Sequence, residues 1–455
     1  MKVKEISDRN DIIIKKFIED FSIDKKPIEV SFRGLLPEIK NIDRYTHQIH
    51  SYPAKLLVHI PYFFLNNSYF SKKGDSVLDP FNGSGTVLLE SIIANRNAYG
   101  ADPNPLARLI SEVKVSKLDV IKLCKSAKEI IEEAKECKNA RVPEVVNCDF
   151  WFPKKVKLQL AKLLAVINKI EDEPIKYFML VSFSNCVKKV SYADQRISVP
   201  VKLNPNRFDD GSKENYKINN RLKQLEDINV FDKFALIVFE NIERFKEFNK
   251  LNLGKFKAKI ISTDARTLTK EINKKSLLKS ESIHLVITSP PYAGAQKYIR
   301  ASSLNLGWTE LAKVEELRLL DQKNIGRENY SKSEVKIVKT GIIEADELIK
   351  QIYNINPLRA NIFCKYLTEM KEALTETYRV LKPNGFLVLI VGNNKVCNKE
   401  FNTQEYLTVF LKSLGMKLQF KLIDDIKSYG LMTKRNKTAD IISREWILVF
   451  KKKKL

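Results

Sequence analysis

A glycine-containing loop at residues 79–86, with the sequence Asp-Pro-Phe-Asn-Gly-Ser-Gly-Thr, narrows the choice of fold more than any other segment. The residues before it, 76–79, are typical of a short buried strand, and residues 83–95 of a loop that turns into a helix. Gly83 and Gly85 let the backbone turn tightly and approach a ligand closely. The electropositive N-terminus of the following helix suits a carboxylate or a phosphate. This strand, loop and helix predict an α/β fold with a parallel sheet.

Further strand and helix patterns follow, with one long interruption. Strands are predicted at 97–102, 258–262, 284–288, 386–391, 418–423 and 446–450, and a helix at 367–381 runs into a Lys-Pro-Asn-Gly turn. Residues 116–250 are mostly helical in pattern, and a shorter insertion is expected at 293–360. The 455 residues are long for one simple domain. We therefore expect an N-terminal extension (1–29) and an α/β domain in two parts (30–115 and 251–455), split by a helical insertion (116–250).

Asp102 stands at the end of the second predicted strand, where its carboxylate can accept hydrogen bonds from both hydroxyls of a ribose. No lysine follows Gly85, so the loop is not the phosphate-binding loop of nucleoside-triphosphate-binding proteins. The third glycine of a dinucleotide-binding loop is also missing. A tight turn without a ligand is the alternative. The complete loop together with Asp102 favours a nucleoside-containing ligand.

A second segment, Thr-Ser-Pro-Pro-Tyr at residues 288–292, ends the strand predicted at 284–288. Two consecutive prolines cannot continue a strand ladder, and they hold the backbone extended. In a parallel sheet this position borders the ligand site. The segment would present a hydroxyl, fixed carbonyl groups and an aromatic ring there, although alone it fits an ordinary loop equally well.

Together these segments resemble the motifs of S-adenosylmethionine-dependent DNA amino-methyltransferases, which modify N4 of cytosine or N6 of adenine. Residues 79–86 match that family's cofactor motif, and 99–105 resemble its ribose-binding strand end. Residues 262–265 resemble the segment that contacts the adenine ring, and 288–292 match the catalytic motif in its serine form.

Two further segments support the resemblance, and the order of the motifs departs from that of many relatives. Residues 47–56 resemble the segment that packs on the methionine end of the cofactor, and 378–386 the helix, turn and strand after the catalytic motif. Many relatives place the serine motif before the cofactor motif, whereas here the cofactor motif comes first. The DNA-recognition region is therefore not located by the resemblance.

The resemblance implies a Rossmann-like seven-stranded sheet whose last strand is antiparallel, with S-adenosyl-L-methionine as cofactor and no metal. The cofactor-binding residues that it implies are Tyr52, Ala54, Asp79, Phe81, Gly83, Ser84, Gly85, Thr86, Asp102, Asn104, Asp264 and Ala265. The catalytic residues that it implies are Ser289, Pro290, Pro291 and Tyr292.

The chemistry of these residue types agrees with that assignment. The lone pair of an exocyclic amine is conjugated into the base, so the amine is a poor nucleophile. If Ser289 and the carbonyl of Pro290 accept its two N–H groups, the nitrogen becomes pyramidal and can attack a methyl group held in line. Tyr292 could stack on the base, which must leave the duplex to reach such a pocket.

The charge balance predicts a polyanionic partner. Lysine and arginine number 79 against 55 acidic residues, a net charge of +24, although a generally lysine-rich proteome would also raise this number. We expect double-stranded DNA as the partner. The candidate DNA contacts are Lys188, Lys189, Arg196, Lys202 and Arg207 in the insertion, Lys297 and Arg300 after the catalytic motif, and Lys434 and Arg435 before the last strand. A solvated basic surface is the alternative for each group.

Several other classes are disfavoured. No apolar run approaches the ~18 residues of a membrane span, and the first residues lack a signal-peptide core, so a cytoplasmic protein is expected. The six cysteines form no Cys-x-x-Cys pair, and no Pro-Cys nucleophile of a cytosine-C5 enzyme occurs.

The target base and the biological setting are expectations from the resemblance. Serine in the catalytic motif is usual in cytosine-N4 enzymes, so cytosine N4 is expected, with adenine N6 as the alternative. An RNA amino-methyltransferase and a catalytically inactive binding module are the rival functions. A restriction–modification or defence system is the expected setting, with a cognate endonuclease or a defence subunit as a partner.

Overall fold

The computed structural model describes residues 3–39, 44–251, 253–268, 278–294, 297–426 and 443–454. The strands of this part are β1 (Ile28–Val30), β2 (Ser76–Asp79), β3 (Asn97–Ala101), β4 (Ala258–Ser262), β5 (Ile283–Thr288), β6 (Leu381–Val391), β7 (Asn394–Val396), β8 (Lys399–Phe401), β9 (Met416–Asp425) and β10 (Arg444–Lys452). Its α-helices are α1 (Val3–Asp24), α2 (Phe32–Leu35), α3 (His59–Leu65), α4 (Thr86–Ile93), α5 (Pro105–Val115), α6 (Val120–Glu136), α7 (Cys148–Trp151), α8 (Lys154–Asn168), α9 (Glu173–Lys189), α10 (Lys213–Glu226), α11 (Val230–Asn249), α12 (Tyr298–Trp308), α13 (Glu316–Lys323), α14 (Ile343–Ile355), α15 (Pro357–Val380) and α16 (Thr403–Ser413).

Eight strands form one central sheet in the order β1-β9-β10-β6-β5-β2-β3-β4. Strands β6, β5, β2, β3 and β4 are parallel, and β10 runs antiparallel to both β6 and β9. The α/β class, the seven predicted strands and the antiparallel last strand are therefore confirmed. The number seven is corrected to eight, because β1 adds a parallel edge strand beside β9 that is too short to show a periodic pattern.

One predicted helix boundary is also corrected. Helix α15 begins at Pro357, ten residues earlier than expected, because Asn356 caps its first turn by accepting a hydrogen bond from the amide of Arg359. Strand β6 then begins directly at Leu381, and the predicted Lys-Pro-Asn-Gly turn lies inside its first half. Asn384 has a positive φ of 64° within this irregular start of the strand.

Three apolar clusters cover the sheet and join the helical segment to it. Helices α14, α15 and α16 pack in one cluster, and α1 and α3 in another. Helices α6, α8, α9 and α11, which lie between β3 and β4 in the chain, form a third cluster with α5 and α12. Trp308 is fully buried there, with its ring centroid 5.5 Å from that of Phe152, as expected for a packing residue. Within the described ranges, no helix is both long enough and apolar enough to cross a membrane.

The sheet order creates a switch point beside β2. The chain leaves β2 toward β3 on one side, whereas β5 lies on the other side, and ligands bind in this architecture at the carboxyl ends of strands near such a point. Residues 79–86, 102, 264 and 289–292 all follow the carboxyl ends of β2, β3, β4 and β5. The fold therefore brings the motif segments to one edge of the sheet.

Candidate active site

The two glycines of the loop after β2 have positive φ angles, 50° at Gly83 and 79° at Gly85, but different surroundings. A Cβ atom on Gly85 would lie 2.3 Å from Oγ and 2.9 Å from Cβ of Ser111 on α5. A Cβ atom on Gly83 would meet only Tyr52 Cε1, at 4.0 Å. Gly85 is therefore required by the packing of the loop on α5, whereas Gly83 leaves its open side to the cleft described below.

A comparison of Gly85→Ala with Gly74→Ala tests this packing role. Gly74 has a φ of 89° and no atom within 4 Å of a built Cβ, so alanine there should cost only the left-handed strain, about 1–2 kcal/mol. Gly85→Ala should lose roughly 1–3 kcal/mol more through overpacking. Urea unfolding of both variants measures the difference, and equal losses would contradict the packing argument.

Asp79 ties the ends of β2 and β5 together beneath the loop. Its Oδ1 atom accepts hydrogen bonds from Oγ1 of Thr288, at 2.6 Å, and from the amide of Phe81, at 3.1 Å. Burial raises the pKa of this carboxyl to about 7. The geometry supports a positioning role for Asp79, since it fixes the loop that follows β2 against the segment that follows β5.

Asp102 is held by two backbone amides. Its Oδ2 accepts from the amide of Gly83 at 2.9 Å, and its Oδ1 from the amide of Asn104 at 2.8 Å. Burial raises the pKa of Asp102 to about 6, while these two hydrogen bonds oppose that shift. Each carboxylate oxygen retains a second lone pair. The group is therefore a fixed acceptor at the edge of the loop.

Asn104 and Tyr52 form the next contact. The side chain of Asn104 caps α5 by accepting from the amide of Leu106, and its Nδ2 donates to the hydroxyl of Tyr52 at 3.1 Å and to Oγ of Ser302 at 3.1 Å. Burial raises the pKa of Tyr52 well above its ordinary value. Asn104 therefore orients the Tyr52 ring, which approaches Gly83 across the loop.

A buried ionic cluster anchors the segment that carries Tyr52 and Ala54. Glu90 on α4 is fully buried, forms an ion pair with Arg44, and contacts Nε2 of His47 at 2.7 Å. Burial lowers the pKa of His47 to about 4. Burial alone would raise the pKa of Glu90, but the neighbouring Arg44 and His47 together lower it. The segment before α3 is thus fixed to the helix that follows the glycine loop.

These elements surround one cleft with about 600 Å³ of empty space, part of which is open to solvent. Its walls are formed by Tyr52, Ala54, Pro80, Phe81, Gly83, Asp102, Pro103, Asp264, Ala265, Ser289, Pro291, Tyr298, Lys323, Asn324 and Ile325. Nine of these are predicted cofactor-site or catalytic residues, and they come from five separate chain segments.

The remaining predicted site residues lie around this cleft without forming its wall. Asp79, Ser84, Gly85, Thr86 and Asn104 are buried and support the loop from behind. Pro290 is buried between Ser289 and Pro291, and Tyr292, the last of the predicted residues, is half-buried after them. Residues 323–325 were missed by the sequence analysis, because nothing in their local pattern indicates that α13 ends against the cleft.

Asp264 forms an ion pair with Arg266, a residue that the sequence analysis did not predict. The guanidinium donates from Nε to Oδ1 at 2.9 Å and from Nη2 to Oδ2 at 2.8 Å. Arg266 also lies 3.4 Å from Glu369 on α15. Asp264 is therefore held in the cleft wall by a bidentate contact, with lone pairs left for a further donor.

The segment after β5 is anchored by two contacts at its far end. The hydroxyl of Tyr292 donates to Oε1 of Glu445 on β10 at 2.6 Å, and Asn394 donates from Nδ2 to the carbonyl of Ala293 at 2.6 Å. Burial and the neighbouring Glu445 raise the pKa of Tyr292, and burial raises that of Glu445. No local pattern in the sequence predicts a site role for Glu445, because its partner Tyr292 lies in a distant segment.

Four of the seven described basic residues that were predicted to bind DNA contact other groups of the protein. Lys188 donates to the carbonyls of Ile197 and Ser198, and Arg196 forms ion pairs with Asp194 and Glu214. The ammonium of Lys202 lies 4.2 Å from the ring centroid of Phe150, and that of Lys297 lies 3.0 Å from Glu328. Lys189 is half-buried, and Arg207 and Arg300 are exposed. Lys434 and Arg435 lie outside the described residues. The structure brings Lys297 and Arg300 next to the cleft, at the start of α12.

A sheet of this order with a cleft at its switch point defines a Rossmann-like α/β protein. A DNA methylase family of the N6/N4 type matches residues 19–112 and 283–455, more than half of the chain, and the chain therefore belongs to that family. S-adenosylmethionine is the methyl donor of this family and hence the cofactor of this chain. The two matched ranges flank the helical segment between β3 and β4.

Individual proteins similar to this chain include two Type II methyltransferases and one solved structure. The Type II methyltransferase M.MvaI of Kocuria varians is 24% identical over 430 residues, which cover 88% of this chain and 88% of the relative. The Type II methyltransferase M.MjaII of Methanocaldococcus jannaschii is 23% identical, and the match covers 62% of this chain and 65% of the relative. The solved structure of TTHA0409 from Thermus thermophilus, a presumed DNA modification methylase complexed with S-adenosyl-L-methionine, is 20% identical. That match has a TM-score of 0.21 and covers 42% of this chain and 54% of the other.

Proposed function

We propose that this chain transfers the methyl group of S-adenosylmethionine to N4 of a flipped cytosine at a specific site in duplex DNA. The observation that carries the proposal is that Ser289 and Pro291 share one cleft wall with Asp102, Gly83 and Tyr52. The amino-acceptor segment and the cofactor loop therefore face the same space. Membership of the DNA methylase family gives the coarser activity, and the base and atom are the part proposed here.

The chemistry of the cleft wall supports binding of the cofactor. Asp102 offers carboxylate lone pairs to the ribose hydroxyls, and its two amide contacts keep it from turning away. Phe81, Ala265 and Ile325 offer apolar surface for a purine ring. The methionine end would lie over the open side of Gly83, beside Tyr52.

The remaining residues are suited to activating the amine. S-adenosylmethionine supplies an electrophilic methyl group on a sulfonium centre when it is bound. Ser289 Oγ and the carbonyl of Pro290 accept the two amine N–H groups, which directs the nitrogen lone pair toward the cofactor loop. A new nitrogen–carbon bond forms as the carbon–sulfur bond breaks, and one amine proton is lost to solvent. Preorganised acceptors need no rearrangement during this step.

Cytosine N4 is preferred over adenine N6 because of Ser289. Serine at this position is usual in cytosine-N4 enzymes of the family that the sequence resembles, whereas adenine enzymes usually carry asparagine or aspartate there. The Type II relatives also favour a restriction–modification setting, in which a cognate endonuclease would be the partner.

Nucleoside mass spectrometry of DNA methylated by the purified protein tests the proposal. We expect N4-methylcytosine with the wild type and far less of it with Ser289→Ala after the same reaction time. N6-methyladenine alone would contradict the cytosine assignment and leave the fold and mechanism standing. Methyl transfer to structured RNA but not to duplex DNA would contradict DNA as the substrate, and no turnover on either would contradict an active enzyme.

A further inference from the structure

A second and larger concavity lies beside the cleft, and we call it the lateral groove. Its empty space is about 1530 Å³, part of which is open to solvent. One side is formed by Asn147, Trp151 and Pro200 from the helical segment between β3 and β4. The opposite side is formed by α12, α13 and residues 327–334.

The lateral groove and the cleft share a wall. On α12, Tyr298 borders the cleft, whereas Ile299, Arg300 and Ser303 border the groove. The same division holds at α13, where residues 323–325 border the cleft and residues 317–318 and 321–322 the groove. A strand that delivers a flipped base into the cleft can therefore continue directly into the groove.

The cations of this groove differ from those predicted in the insertion. Arg300 and Arg318 are exposed, and within the described residues neither guanidinium has a hydrogen bond or an ion pair. Lys188 and Arg196, in contrast, already hold backbone carbonyls and carboxylates. The two free guanidiniums beside the cleft are thus better placed to contact phosphates than the engaged basic segment.

The other charges of the groove are largely compensated. Arg327 pairs with Glu334, and Glu328 lies within 4 Å of both Lys297 and Arg359. Burial raises the pKa of Asp321, which accepts from Asn329 at 3.5 Å. The floor is therefore not a continuous phosphate track, and its polar groups suit base edges better than the backbone.

Aromatic rings complete the groove on both sides. Trp151 is half-buried, stands edge-to-face on Phe150 with ring centroids 4.9 Å apart, and borders the groove. Tyr330 lies on the other side, with the guanidinium of Arg327 3.9 Å from its ring centroid. Arg300 and Arg318 border the same groove as these rings, and aromatic side chains in a positively charged groove are the combination that binds single strands.

We propose that the lateral groove holds the DNA strand that flanks the flipped base, with Arg300 and Arg318 on its phosphates and Trp151 against a base. This inference rests on the proposed function, because it assumes that the cleft receives a DNA base. It places the DNA path on α12 and α13 and away from the basic segment around Lys188.

Salt-dependent binding of a fluorescein-labelled mixed-sequence DNA duplex, followed by anisotropy, tests the phosphate contacts. The Arg300→Gln/Arg318→Gln variant should reduce the magnitude of the log–log salt slope by about 1.8, at 0.9 per phosphate. The matched control, Lys15→Gln/Lys16→Gln, removes the same charge from exposed positions on α1, which packs on β9. An unchanged slope in the groove variant, or an equal reduction in the control, would overturn the proposal.

Trp151→Ala tests the stacking contact separately. Affinity should fall about tenfold at constant salt with the slope unchanged, since no charge is removed. Calorimetry with S-adenosylmethionine should show that the cofactor site of this variant is intact, and unchanged DNA affinity with an intact cofactor site would overturn the role of Trp151.

Methylation by the wild type is measured in parallel. If the wild type methylates DNA and the groove variants bind DNA normally, only the role of the groove is contradicted. If the wild type methylates no DNA, the proposed function is contradicted.

Discussion

Ser289→Ala should reduce the rate of methyl transfer by on the order of 100-fold or more while leaving cofactor affinity unchanged. The hydroxyl of Ser289 borders the cleft, and alanine removes one of the two proposed acceptors for the amine without adding bulk. Single-turnover transfer of a labelled methyl group measures the rate, and calorimetry measures cofactor binding. A near wild-type rate would remove Ser289 from the mechanism.

Tyr292 has a matched pair of variants that separates its ring from its hydroxyl. Tyr292→Ala removes both, and the proposed stacking on the base predicts a severe loss of methyl transfer. Tyr292→Phe keeps the ring and removes only the hydrogen bond to Glu445, so most of the rate should remain. If phenylalanine is as damaging as alanine, the contact with Glu445 matters and stacking does not.

The sheet was predictable because most of its strands carry a local signal. Strands β2 and β5 and the second half of β6 each contain a short run of buried apolar residues, which is the expected pattern for parallel strands covered on both faces. Glycine and proline mark the ends of β2 and β5, where the backbone must leave the ladder. Strand β1 has three residues, too few for a period to appear.

The gathering of Gly83, Asp102 and Ser289 into one cleft follows from the parallel sheet, because the carboxyl ends of adjacent strands meet at one edge. Contacts made by side chains from distant segments do not follow in this way. Glu445 reaches Tyr292, and Arg266 reaches Glu369, only after the sheet and α15 are in place. No spacing in the sequence encodes these pairs.

The local charge of the sequence did not predict which basic side chains are paired in the fold. Arg196 belongs to a basic stretch in the sequence, yet in the fold it neutralises Asp194 and Glu214. Arg318 lies among acidic residues on α13, yet in the described part of the chain it has no neighbour of opposite charge within ion-pair distance. Local sequence gives the charge of a side chain, whereas its availability to DNA depends on which other side chains the fold brings near it.

Asp102→Asn should weaken S-adenosylmethionine binding by about 1.5–3 kcal/mol, which is roughly 13- to 160-fold. The carboxylate accepts hydrogen bonds from two backbone amides and, in the proposed complex, from the ribose hydroxyls. An amide in its place presents an NH₂ group to one of these donors. Calorimetry at pH 8 measures the loss, and an unchanged dissociation constant would contradict the assignment of Asp102 to the ribose.

The pH dependence of the same pair of proteins gives a second, independent result. Because burial raises the pKa of Asp102 to about 6, the wild-type carboxylate is ionised at pH 8 and mostly protonated at pH 5. The ionised form is the one that accepts the ribose hydroxyls, so wild-type affinity should be retained above pH 6 and should fall as the pH is lowered through 6. Asp102→Asn lacks this titration and should show a flatter profile. Asp79, whose pKa is raised to about 7 by burial and also by the neighbouring Asp102, titrates in both proteins, and its pKa should be lower in Asp102→Asn. The difference between the two profiles therefore reports Asp102 together with its effect on Asp79. Parallel profiles would show that the charge of Asp102 does not contribute to cofactor binding.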